Sequence, residues 1–158
     1  MINKQIGSFF FIGVLVLNIA LDYDGSFKGE YCGECRLCIE MCPTGAINED
    51  RTIDARKCIA NVTIENRGQI PSDILPVIGR RVYGCDKCQE VCPWNKIAKQ
   101  HHTPEFDLPE ELRRMSAGEW LNLSEENFKR LLGRSPVARK KYERFMNNVK
   151  DVLNKFAV

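Results

Sequence analysis

Eight cysteines crowd into 61 consecutive residues, from Cys32 to Cys92, and the last 66 residues hold none. Thiols at that density are oxidised in pairs or tied to metal, and either choice dictates the local backbone. The spacing separates the two. Cys32-x2-Cys35-x2-Cys38-x3-Cys42-Pro43 is followed by Cys85-x2-Cys88-x3-Cys92-Pro93, an imperfect repeat whose segments read CRLCIEMCPTG and CDKCQEVCPWN.

The first run has the form of the bacterial ferredoxin ligands of a 4Fe–4S cluster. Three thiolates at i, i+3 and i+6 on a tight loop reach three irons of one cubane, and the loop amides point at the sulfurs. The fourth cysteine opens a helical turn leading away, so it faces a different cluster, and Pro43 ends that turn. A full second copy would need a cysteine at position 82, which is Val82. Cys58, between the motifs and otherwise unassigned, replaces it. The count then closes: Cys32, Cys35, Cys38 and Cys92 on one cluster, and Cys42, Cys58, Cys85 and Cys88 on the other. Structural zinc pairs CxxC units at a gap of about 12–20 residues. Here 49 residues separate Cys35 from Cys85, and zinc explains neither the third cysteine nor the repeated Cys-Pro ending. A secreted disulfide framework would call for a clear signal peptide, and none is evident.

The most apolar run, FFFIGVLVLNIAL at residues 9–21, is 13 residues long and contains Asn18. A membrane-spanning helix needs about 20 apolar residues, so no membrane partner is expected. A signal or anchor core can be this short and Lys4 gives it a positive flank, but no small-x-small cleavage site follows Ala20, and the Phe, Val and Ile content suits a buried strand or hairpin bent near Gly13 or Asn18. A strand so near Met1 needs a sheet to join, which makes this region look like the tail of something larger. Thiolate ligands favour a reducing, cytoplasmic compartment. The net charge of +2 gives the whole molecule no bias toward nucleic acid, so any such bias is local.

Three parts follow: residues 1–30, the strand-like run with a connector at Asp24, Gly25 and Ser26; residues 31–98, with every cysteine; and residues 99–158, helical. Ala46-Ile47 and Thr52-Ile53 flank the turn-prone NEDR and predict a small hairpin. Residues 54–65 and 72–78 read as short helices. Ser124 is an N-cap for EENFKRLLG, closed by Gly133. Pro136 then opens a second helix of about 20 residues, with one apolar face through Ala138, Tyr142, Phe145, Val149, Val152, Leu153 and Phe156. The fold class expected is α+β: a ferredoxin-like domain with two 4Fe–4S clusters, followed by an α-helical, HEAT-like repeat tail. Residues 129–144 carry seven cations against one acid, Glu143. Such a stretch is either a phosphate-binding face or a solvated helix surface. Trp94 and Trp120 are expected to be buried, and His101 and His102 to lie in an exposed loop.

Several segments together resemble the epoxyqueuosine reductases, cobalamin- and iron–sulfur-dependent enzymes of queuosine synthesis in tRNA. They are CGECRLCIEMCPTGAI, IDARKCIANVTIENRGQIP, GRRVYGCDKCQEVCPWN and SPVARKKYERFMNNV, with GSFFFIG near the start resembling the final strand segment before the cysteines. The resemblance covers residues 7–156. It implies an oxidoreductase that passes electrons through two 4Fe–4S clusters to cobalamin and reduces epoxyqueuosine to queuosine in tRNA. It further implies a corrin-side segment with Thr63, Ile64, Asn66, Gln69 and Asp86. It also tips the basic tail toward tRNA, through Arg67, Arg139, Lys140, Lys141 and Arg144.

The implied partners are tRNA carrying epoxyqueuosine, an electron donor such as a flavodoxin or ferredoxin, and a cobalamin-domain portion supplied by a separate chain or by a longer polypeptide. Enzymes of this family have a longer N-terminal region, which builds most of the corrin pocket and contributes the acidic proton donor. No residue here matches that donor, so the chain alone is expected to be inactive. The competing readings are a stand-alone dicluster ferredoxin-type electron carrier and part of a corrin and iron–sulfur reductive dehalogenase.

Overall fold

The repeat in the cysteine spacing becomes a repeat of backbone. In the computed structural model, which describes residues 2–25 and 29–156, helix α1 (Leu37–Glu40) and helix α3 (Lys87–Glu90) start at equivalent points of the two motifs. The preceding residues Arg36 (φ −121°, ψ 5°) and Asp86 (φ −110°, ψ 16°) share one conformation. Both helices end in the same turn, with the Cys42 amide donating to the Ile39 carbonyl and the Cys92 amide to the Gln89 carbonyl. The two one-turn helices pack against each other, bringing the motifs together. Neither buries a residue.

Between them, Ile47 and Ile53 form an antiparallel bridge, the whole of the expected hairpin. Helix α2 spans Ile59–Ile64, shorter than the 54–65 expectation, because residues 54–58 form turns that end with Cys58 as N-cap. Residues 72–78 give one 3₁₀ turn, Leu75–Val77. Ile59, Val62, Ile70, Ile74 and Ile78 are buried together with Val152 from the chain's end.

In the tail, α4 (Glu110–Arg114), α5 (Ala117–Leu121), α6 (Glu125–Leu132) and α7 (Tyr142–Leu153) enclose a second core of Leu112, Leu123, Phe128, Leu132, Phe145, Met146 and Val149. Ser124 caps α6 by accepting from the Asn127 amide. Ser116 and Glu119 form a reciprocal capping box on α5, with the Ser116 amide donating to Glu119 at 2.7 Å. Helix α7 belongs to both cores, through Val149 on one side and Val152 on the other.

Three expectations need correction. The long last helix is broken: residues Pro136–Lys140 are 3₁₀, and Lys141 has φ 64° and ψ 151°. Only then does α7 begin. Residues 9–21 form no strand, and Phe11, Val14, Leu15 and Val16 are 79–94% exposed. A strand needs an edge to pair with, and among the described residues none is offered. What is anchored is the segment's start. The Ser8 amide donates to Asn95 Oδ1 at 2.6 Å, and the Ser8 hydroxyl to Gln89 Oε1 at 3.0 Å. Gly7 (φ 78°) lies so close to Asn95 and Trp94 that a Cβ would collide. The described residues therefore form helices with two isolated bridges, without the strands an α+β class requires. The tail helices are five, five, eight and twelve residues long. Ser26 of the expected connector lies outside the described residues.

Candidate metal centre

All eight cysteines are half-buried free thiols. They gather around two adjoining cavities. The larger, about 690 Å³, is lined by Cys32, Cys35, Cys38, Cys88 and Cys92, with apolar walls that include Leu37, Ile47, Ile53 and Trp94. The smaller, about 40 Å³, is lined by Cys42, Cys58, Cys85 and Cys88, with Pro43, Ala46 and Ile59. Cys88 lies on both. Among the described residues no three Cys, His, Asp or Glu side chains converge as ligands of a single metal ion. A cubane spreads its thiolates over four irons, so its ligands stand further apart than those of one zinc. Donor chemistry carries the fit: eight thiols in two groups, in a partly dry setting.

Local electrostatics differ between the thiols. Partial burial pushes Cys42 up. Hydrogen bonds from the backbone of Thr44, Ala46 and Ile47 and from the Thr44 hydroxyl outweigh it, so the thiol is held below its ordinary value. The Ala46 amide lies 3.3 Å from Cys42 Sγ, a contact of the kind that stabilises a cluster sulfur. Cys88 is shifted up, first by burial and then by the neighbouring charges of Cys85, Cys58 and Cys38.

Arg51 escaped the sequence reading. It ion-pairs with Glu30, donates to the Gly33 carbonyl inside the first cysteine loop at 2.6 Å, and lines the larger cavity. The hydrogen bond to Glu30 is the main reason its guanidinium is held charged, and Cys32 and Cys38 add to that field. Its φ of 65° at the bend after Asp50 carries no sequence signature. Trp94 is half-buried, donates to the Tyr31 carbonyl at 3.0 Å, and tilts against the Tyr31 ring. Trp120 packs on Phe145. His101 and His102 are exposed and line neither cavity.

The residues implied for corrin and tRNA divide. Thr63 is fully buried, with its hydroxyl donating to the Ile59 carbonyl at 2.7 Å and accepting from the Gly84 amide at 2.9 Å, so it is not free to line a pocket. Asn66 holds a turn, with Nδ2 donating to the Gln69 carbonyl at 2.9 Å and Oδ1 accepting from the Gly68 amide at 3.1 Å. Gln69, Asp86 and Arg67 are exposed, and Ile64 is half-buried. Lys140 corrects the expectation of an outward-facing cation. It is 2% exposed, and its ammonium donates to the Asn66 carbonyl at 2.6 Å. The break at Lys141 turns Lys140 inward. Burial, reinforced by Arg144 and opposed by Glu65, holds the Lys140 ammonium below the ordinary lysine value.

Elsewhere in the basic stretch, Lys129 pairs with Glu125, Arg130 with Glu111, and Arg139 with Glu65. Arg134 and Lys141 are exposed, and Arg144 is half-buried. The Arg139–Glu65 pair and the Lys140–Asn66 bond bring the tail's cations beside Arg67.

Residues 31–95 match the family described as a 4Fe-4S double cluster binding domain, in keeping with the thiols' division between two cavities. Over nearly its whole length the chain is a homologue of the epoxyqueuosine reductases. It is 41% identical over 154 residues to the one from Cyclobacterium marinum, covering 98% of this chain and 49% of that one. It is 40% identical over 148 residues to the one from Escherichia coli, covering 94% and 39%. The structure of epoxyqueuosine reductase from Bacillus subtilis superposes with a TM-score of 0.82 at 31% identity, over 99% of this chain and 41% of that one. An epoxyqueuosine reductase with an epoxyqueuosine-modified tRNA-Tyr stem loop superposes with a TM-score of 0.71 at 35% identity, over 80% and 33%. The chain thus spans about half the length, or less, of the relatives it matches.

Proposed function

We propose that this chain is the iron–sulfur portion of an epoxyqueuosine reductase, acting on the epoxyqueuosine of tRNA. The observation that carries the reading is homology at about 40% identity over 94–98% of the chain. Converting the epoxide to the alkene takes two electrons and two protons and releases water. Each cluster carries one electron at a time, so two in series suit the demand. Cys32, Cys35, Cys38 and Cys92 hold the first cluster, and Cys42, Cys58, Cys85 and Cys88 the second. The sharing of the two cavities among these thiols supports that assignment. Cobalamin supplies the reductive chemistry on the epoxide when bound. Ile64, Gln69 and Asp86 would line its site from this chain, while Thr63 and Asn66 hold the segment's shape.

A cobalamin-domain portion, in the same polypeptide or a second chain, completes the corrin pocket and brings the proton donor, and the exposed apolar residues 9–21 pack against it. Arg67, Arg139, Lys141 and Arg144 contact tRNA phosphates, with Lys140 supporting them from within. The division at residues 30 and 98, a ferredoxin-type middle part, a HEAT-like tail, a flavodoxin or ferredoxin as electron donor and a cytoplasmic setting belong to the same reading. No helix of the described residues is long and apolar enough to cross a membrane.

The test is turnover. With cobalamin, a strong reductant and epoxyqueuosine-containing tRNA, the chain alone yields no queuosine by mass spectrometry, and adding the N-terminal half of a relative restores it. If the combined protein is reduced and holds both clusters yet forms no queuosine, the stand-alone carrier becomes the better reading.

A further inference from the structure

Asn148 lies in the middle of α7, 2% exposed, on a helix whose other buried residues are apolar. Its Nδ2 donates to the Thr63 carbonyl at 2.8 Å and to the Val82 carbonyl at 3.0 Å. The buried Thr63 hydroxyl in turn bonds the Ile59 carbonyl at 2.7 Å and accepts from the Gly84 amide at 2.9 Å. Two buried side chains thus tie together three segments remote in sequence: α2, the 82–84 turn and α7. Among the described residues no fully buried side-chain nitrogen or oxygen lacks a partner, and paired buried polar groups specify geometry.

What the network touches gives it meaning. Ile59 follows Cys58, and Gly84 (φ 78°) precedes Cys85. Both cysteines line the smaller cavity. We propose that Asn148 and Thr63 are positioning residues for the second cluster, locking the Cys58 and Cys85 thiols in one mutual geometry. The proposal rests on the ligand assignment above. The second cluster needs such a brace because its ligands come from separate segments, at Cys42, Cys58 and the Cys85–Cys88 turn. Three ligands of the first cluster share one loop. Apolar packing of Cys85 against the Ile59–Val62 core sets proximity, but directional hydrogen bonds set register. The tail helix is thereby part of the metal centre's support, without contacting metal.

The experiment uses the anaerobically reconstituted full chain. Cys35→Ser and Cys58→Ser assign the two electron paramagnetic resonance signals seen after reduction. Asn148→Leu, Thr63→Val and Thr63→Ser are then challenged with an iron chelator. The expected result is that Asn148→Leu and Thr63→Val lose the Cys58-dependent signal about 10-fold faster or more, the usual scale for groups that support metal ligands. That signal also changes line shape, the Cys35-dependent signal decays at the wild-type rate, and Thr63→Ser behaves as wild type. Unchanged decay overturns the proposal. So does parallel loss of both signals with a lowered melting temperature, which marks a role in the fold alone. If Cys35→Ser and Cys58→Ser remove the same signal, or the wild type holds no iron, the ligand assignment falls and takes the proposal with it.

Discussion

The cysteine-bearing stretches and the tail are built on opposite terms. In residues 31–58 and 79–98 the one buried apolar side chain is Ala46, and helices α1 and α3 bury nothing. The tail buries Leu112, Leu123, Phe128, Leu132, Phe145, Met146 and Val149 in one continuous core. Burial of that kind contributes about 1.5–3 kcal/mol per large side chain. A segment without it must take its rigidity from elsewhere, and thiolate–metal bonds are the available source. With the clusters held as proposed, stability would be partitioned: hydrophobic in the tail, metal-derived around the cysteines, with α7 and the Ile59–Ile78 core as the join.

Iron removal tests this division hardest. Stripping the reconstituted protein with a chelator is expected to abolish amide protection in residues 31–58 and 79–98. Amides of α6 and α7 should stay protected, read by hydrogen exchange. Equal loss in both regions would mean the tail cannot stand without the metal. Cys58→Ser should halve the metal, from about eight irons to about four by the ligand count.

The reverse perturbation comes next in size. Phe145 is 2% exposed and stacks against Trp120 and Phe128 at 6.1 and 5.4 Å. Phe145→Ala should cost about 3–5 kcal/mol in denaturant unfolding of the tail. The first cluster's spectrum should be unchanged, because among the described residues none near Cys32, Cys35 and Cys38 packs on that core. A changed first-cluster spectrum would break the partition.

Lys140 sits where the two regions meet. Lys140→Ala removes its buried stem and orphans the Asn66 carbonyl, at a cost of about 1–3 kcal/mol. The sign with pH follows from the depressed folded value. Just below the ordinary lysine value of 10.5 the unfolded chain holds the proton more firmly than the folded one. Stability of the wild type relative to Lys140→Met should therefore rise with pH through that window. A flat difference across alkaline pH would mean the ammonium is not strained by burial.

What the sequence made legible is what depends on neighbours along the chain. Cysteine spacing, the Ser124 cap and the turn between Ile47 and Ile53 are local, and each has its counterpart in the structure. The Ser116–Glu119 box is equally local, with Ser-x-x-Glu standing in the sequence before Trp120. Lys140 was hidden for a different reason. Its partner, the Asn66 carbonyl, is 74 residues away, and a run of cations reads as a surface until the backbone turns. Thr63 and Asn148 share that blindness, since the bonds that tie them to other segments span 21 to 85 residues. Residues 9–21 show the limit of composition: Phe, Val and Ile favour a strand, but a strand exists only beside another. The spacing proposes how the thiols group, but the packing of α1 on α3 that brings the two motifs together is a contact between remote segments.

The smallest effect concerns Lys141, and it separates charge from backbone. Its φ of 64° with ψ of 151° lies in a region that is essentially glycine's, and holding another residue there costs about 1–3 kcal/mol. Glycine relieves the strain but gains freedom in the unfolded chain worth about 0.5–1 kcal/mol. Lys141→Gly should therefore raise stability by roughly 1 kcal/mol, or a few degrees in melting temperature. The same change deletes an exposed cation from the proposed tRNA face. If the face works as proposed, Lys141→Gly weakens tRNA binding and flattens its salt dependence by about one counterion. Lys140→Met, whose ammonium is buried, should leave that slope alone. Filter binding at several salt concentrations, run beside thermal melts, reads both quantities. A more stable protein with an unaltered slope would show that Lys141 lies off the tRNA face, and a loss of stability would show that the turn before α7 is not strained.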